Sequence, residues 1–147
     1  MKSQRERLLD HCIKGAQTGV IALGQMLPHC RSKEVYAFVE ESAARYRDYA
    51  TETTEELRKD GVKPEHIGRI ASAMVIKVVG WRCRKGVTDK QILQQVRDGA
   101  VKSAEACKRY RNLYAGAGPD ALGRCTALEG ISRDVEEKSY LVRADGE

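Results

Sequence analysis

Aromatic residues are scarce in this chain, at 5% of 147 residues, and there are only three prolines. Sandwiches and barrels lean on aromatic and β-branched strands with frequent turn residues, so this shortage argues against them. No C-x-x-C pair occurs among the five cysteines, Cys12, Cys30, Cys83, Cys107 and Cys125, and their number is odd. That excludes a disulfide framework and points to reduced thiols and a cytoplasmic location. No apolar run reaches membrane-spanning length, and MKSQRERLLDH carries no apolar stretch ahead of a cleavage site, so no membrane partner is expected. A glycine-rich phosphate loop and a nucleophile elbow are missing too.

What is present is helical. Hydrophobic residues make up 41% of the chain and recur with period, which excludes disorder, and the length suits a single domain, 1–147. Ser3 followed by Glu6, and Thr88 followed by Gln91, have the spacing of capping boxes. Small or apolar residues at Leu9, Ile13, Ala16, Val20, Leu23 and Leu27 form one seam along a first helix of about 36 Å, at 1.5 Å per residue. The pattern predicts five helices, over 3–27, 32–60, 64–84, 88–114 and 119–143, with 144–147 fraying. The third, PEHIGRIASAMVIKVVGW, is the most apolar stretch and is expected to be a crossover helix buried on more than one side, with Pro64 in its first turn. A strand at 74–79 is the competing assignment.

Charge is unevenly spread beneath a net +5. Residues 34–60 hold four Lys/Arg against eight Asp/Glu, a balance of −4, while 77–112 hold ten against three, a balance of +7. Such an asymmetry fits neighbouring helices that attract one another, or a basic face for nucleic acid.

The segment LLDHCIKGAQTGV from Leu8 is echoed by ILQQVRDGAVKSA from Ile92, which pairs Leu9 with Leu93, Gly15 with Gly99 and Ala16 with Ala100. Each copy opens a long-helix, loop, helix unit. Two such hairpins joined by a crossover make an all-α, ferritin-like up-down bundle of five helices. The order of LLDHCIKGAQTGV, KEVYAFVEESAARY, GWRCRKGVTDKQIL and the second helix pair resembles a small bacterial ferritin-like family of unknown function over residues 8–143. That resemblance implies a four-helix core, often with carboxylate and histidine ligands inside it.

Those ligands are not retained. A di-metal bundle draws Glu-x-x-His from two of its helices, but Leu8, Met26 and Lys63 stand three residues before the histidines. Ala16 and Ala100 occupy positions where the family tends to place an acid. The expectation is therefore a non-catalytic binding or structural protein, not an enzyme, with no cofactor and no di-iron centre. Small residues on the inner seam (Gly15, Ala16, Gly19, Gly99, Ala100) are expected to let helices approach closely. Apolar surface on the third helix is expected to favour self-association or a protein partner.

Three further sets of residues carry chemistry. His11-Cys12 and His29-Cys30 are the candidate metal ligands, since imidazole and thiolate suit zinc or copper(I), although adjacent helical residues point about 100° apart. Cys83, within WRCRK, is the candidate reactive thiol, because flanking cations favour thiolate. Lys77, Arg82, Arg84, Lys85 and Lys90, with Trp81 as a stacking surface, are the candidate phosphate or nucleic-acid contacts. Cys12, Cys107 and Cys125 otherwise read as small buried hydrophobes.

Overall fold

A computed structural model describes residues 2–144; residues 145–147, most of the end expected to fray, lie outside the described part. The elements in chain order are α1 (Gln4–Met26), a 3-10 turn (Leu27–His29), α2 (Lys33–Lys59), α3 (Arg69–Arg82), α4 (Asp89–Leu113) and α5 (Pro119–Ser139). No strand occurs among the described residues, and the 74–79 run is helical. None of these helices is long and apolar enough to cross a membrane.

Local chemistry sets the helix starts. Ser3 accepts the Glu6 amide at 3.2 Å, and Ser32 accepts the Val35 amide at 3.1 Å. At Thr88 both halves of the capping box form: its hydroxyl accepts from the Gln91 amide at 3.1 Å, and the Gln91 side chain accepts from the Thr88 amide at 2.9 Å. Gly61 (φ 73°) follows α2 in the left-handed conformation that a side chain disfavours, and Val62 N donates to Leu57 O at 3.0 Å. These bonds satisfy groups that helix ends otherwise leave unpaired.

The helix α1 packs against all four other helices, and α4 and α5 pair along their lengths. Leu8, Leu9 and Ile13 of α1, Val39 and Leu57 of α2 and Ile92 of α4 belong to one core along the bundle, and all six are fully buried. Each such aliphatic side chain contributes about 1.5–3 kcal/mol relative to exposure. Two buried carboxylates tie the connections to this core. Asp89, 2% exposed, accepts the Arg31 and Ser32 amides at 2.9 and 2.8 Å, which joins the start of α4 to the start of α2. Asp10, 3% exposed, accepts the Glu65 amide at 2.9 Å and pairs with Lys2 at 2.6 Å.

That second tie corrects the expected third helix. Gln17 of α1 also accepts the Ile67 amide at 2.7 Å, so two amides of the 62–68 segment bond to α1 side chains and not to a helix of their own. Pro64 therefore lies in an extended strap, and α3 starts only after Gly68. Nor is α3 buried on several sides. Val79 is its one buried residue among those described, while Ile70, Met74 and Trp81 are 81%, 62% and 68% exposed. The physical reason is that α1 is its main helical neighbour, and one neighbour covers one stripe. The last helix also stops short of 143: Arg97 of α4 donates to Ser139 O at 3.3 Å and stacks on the Tyr140 ring at 3.7 Å, holding a turn there.

Candidate binding cavity between α1 and α4

Between α1 and α4 lies a cavity of about 400 Å³. It exists because the facing residues are small: Gly15 and Gly19 on α1, and Gly99, Ala100 and Ala106 on α4. A Cβ built at Gly99 would meet nothing within 4 Å, and one at Gly15 would meet only Leu128 at 3.9 Å. The expected close approach does occur at Gly19, where the Tyr46 ring of α2 comes within 3.2 Å of a built Cβ. At Gly15 and Gly99 the same small side chains open a space instead. Of the echoed positions, Leu9, Leu93, Ala16 and Ala100 are buried, whereas Gly15 and Gly99, expected on the inner seam, are exposed at the open side of this space.

The cavity wall is mainly apolar, with Leu23, Met26, Val96, Leu128 and Val135 among its contributors, while Thr18, Gln95, Lys102 and Arg109 add polar groups to it. One hydroxyl chain interrupts it. Ser132 donates to Ser103 at 2.8 Å, so Tyr46 donates to Ser132 at 2.9 Å. The chain ends at Ser103, whose side chain lines the cavity. Burial raises the Tyr46 phenol above its ordinary value, so it stays a neutral donor.

At one end, His11 stacks on Tyr110 with ring centroids 4.2 Å apart and on Tyr114 at 5.6 Å, and its Nε2 lies 3.2 Å from the Tyr114 hydroxyl. Burial, with Lys14 adding to it, holds the imidazole below its ordinary value and therefore neutral. Beside this ring cluster three thiols converge from three helices: Cys12 (α1), Cys107 (α4) and Cys125 (α5), exposed by 2%, 3% and 0%. Cys125 Sγ donates to Cys107 O at 3.3 Å. Hydrogen bonding to Cys125 and burial push the Cys12 and Cys107 thiols up, so both stay protonated. Cys12 and Cys107 line the cavity; Cys125 stands behind them. Sequence spacing gives no sign of this meeting, because the three residues belong to separate stripes on helices far apart in the chain.

The four candidate metal ligands do not come together. His11 and Cys12 sit on the second turns of α1, whereas His29 and Cys30 follow its end, roughly 27 Å away at 1.5 Å per residue. Cys30 Sγ donates to Met26 O at 3.5 Å, and burial, helped by Asp89, pushes its thiol up to about 12. Among the described residues no group of three or more His, Cys, Asp or Glu is placed to hold a metal ion. Cys83 is also corrected. It is fully buried, its thiol directed at Gln95 (3.8 Å), and burial raises it above the ordinary thiol value, outweighing the Gln95 contact, while Arg82 and Arg84 face solvent.

Of the five candidate phosphate contacts, Arg82, Arg84 and Lys85 are brought together, with Trp81, in an open cleft of about 810 Å³ against α4. Lys77 and Lys90 lie outside it. Lys102, from the continuation of the same basic stretch, joins them from α4, and the Arg84 guanidinium lies 4.9 Å over the Trp81 ring. Comparison of the chain with family models, with curated proteins and with solved structures finds no match.

Proposed function

We propose that this chain is a non-catalytic binding protein, a ferritin-like bundle of two hairpins joined by a crossover, whose α1–α4 cavity takes a small apolar molecule. One observation carries the reading: a cavity of about 400 Å³ walled mainly by aliphatic and small residues, with the Ser103 hydroxyl on its lining. Ligand pockets run to about 300–1,000 Å³ and combine apolar walls with a few placed polar groups. The hairpin echo, Gly15 and Gly99, places glycine on both sides of the same space.

The test is calorimetric titration with dodecanol, below its solubility limit, against the wild type and a Gly99→Phe variant. The wild type is expected to bind and to melt higher with ligand, by about 2.7 kcal/mol at a hundredfold excess over Kd. Gly99→Phe fills the cavity and is expected to abolish binding while remaining folded, because a side chain at that position starts in open space. Absence of binding to the wild type, or undiminished binding to the variant, would remove the reading.

Nucleic-acid binding is the second reading, favoured by the gathering of Arg82, Arg84 and Lys85 beside Trp81. Asp98 and Glu105 in the same cleft weigh against a phosphate backbone there. Affinity for a short DNA duplex that drops steeply with added salt would support it, and no binding at low salt would dismiss it.

A further inference from the structure

The apolar cavity and the basic cleft share a wall. Gln95 and Lys102 of α4 line both, so the tail of a ligand between α1 and α4 and a head group at the α3–α4 corner would meet across one pair of side chains. The chemistry shifts across that boundary. The inner lining is mainly aliphatic and small, with Lys102 and Arg109 as its cations; on the outer side stand Arg82, Arg84, Lys85 and Lys102 against two carboxylates, Asp98 and Glu105. Asp98 is already engaged, accepting from Gln94 at 2.8 Å. None of the four cations forms an ion pair among the described residues. The Arg84 contact with Trp81 leaves its charge intact and fixes the guanidinium plane beside the cleft.

We propose that cavity and cleft form one site for a single-chain amphiphile with a phosphate head. The chain lies between α1 and α4, and the phosphate sits among Lys102, Arg84 and Lys85. The proposal rests on the apolar-ligand reading above and adds the identity of the head. Several cations converging on one opening suit a dianion with three acceptor oxygens better than a carboxylate, which a single Arg fork can satisfy. The cavity volume, about 400 Å³, lies at the small end of the ligand-pocket range and accommodates one chain.

The experiment compares dodecanol, dodecyl phosphate below its micelle-forming concentration, and inorganic phosphate, each titrated into the wild type and into an Arg84→Gln/Lys85→Gln variant. Both altered residues face solvent, so the fold is expected to persist. Dodecyl phosphate is expected to bind the wild type at least about tenfold more tightly than dodecanol at low salt, with the margin shrinking as salt is added. In the variant, dodecanol binding is expected to stay unchanged and the margin to disappear. Equal affinity for the two dodecyl compounds, or a margin that survives in the variant, would overturn the phosphate head while leaving the apolar cavity standing. Inorganic phosphate binding as tightly as dodecyl phosphate would overturn the joined site. Failure of both dodecyl compounds to bind would take down the cavity reading and this inference together.

Discussion

The two long seams of α1 are built differently. Towards α2 it meets large rings: Tyr46 packs over Gly19, and Phe38 and Tyr49 are buried in the same core. Towards α4 it meets Gly99, Ala100 and Ala106, and the gap stays open. Glycine on one helix therefore means close packing only when the facing helix supplies something to put there. With small residues on both sides, the backbones are held apart by the rest of the core, and a cavity remains. One stripe of α1 thus serves stability on one flank and leaves room for a ligand on the other.

The comparison breaks most sharply at Gly19. Replacing it with leucine brings a side chain against the Tyr46 ring, which is 4% exposed and bonded to Ser132, so the ring must shift and strain that bond. The expected cost is about 1–3 kcal/mol in denaturant unfolding. An unchanged midpoint would mean that this seam is as loose as the other.

Acid titration probes a third seam, between α4 and α5, which charge closes. Glu129 is buried, and burial alone would raise its carboxyl, but Arg133 (2.7 Å) and Arg111 outweigh that and hold it below the ordinary carboxylate value. A depressed folded value gives stability that is present above the unfolded carboxylate pKa and lost as pH falls through the folded one. Unfolding free energy measured downward from pH 5 is expected to fall, and to fall less in Glu129→Gln. A parallel acid limb in that variant would refute the assignment.

On the open seam the sign reverses. Gly99→Ala adds a methyl group that meets nothing within 4 Å and removes a helix-weakening glycine, so it is expected to stabilise by about 0.5–1 kcal/mol. Destabilisation would show the cavity to be narrower than described. The smallest effect belongs to His11 at the cavity edge. Its lowered value means that its stability contribution is complete above the ordinary histidine pKa and is lost as pH falls from there towards the folded value. A shallow decline below about pH 6.5 is expected, absent in His11→Gln.

Much of this architecture was readable in the residue pattern. Ser3, Ser32 and Thr88 mark helix starts because capping is a local matter, and the stripes through Ile13 and Val96 point at the core as their spacing implies. What escaped is what distant residues decide. The apolar run of α3 reads as core, yet no local pattern reveals that α1 is its principal neighbour. The start of α3 is displaced by Asp10 and Gln17, about fifty positions upstream of the amides they take (|i−j| of 55 and 50). Asp89 looked like part of a capping sequence and is also the acceptor that ties two hairpins together. The glycine echo at 15 and 99 was visible, but whether paired glycines mean contact or space depends on the core that sets the helix spacing.

The most direct measurement is anomalous diffraction from crystals of the wild-type chain soaked with 1-bromodecane. The account predicts bromine, with its alkyl density, between α1 and α4 beside Gly99, Ser103 and Cys107. A seam with Gly15 and Gly99 in van der Waals contact and no bromine between them would contradict it.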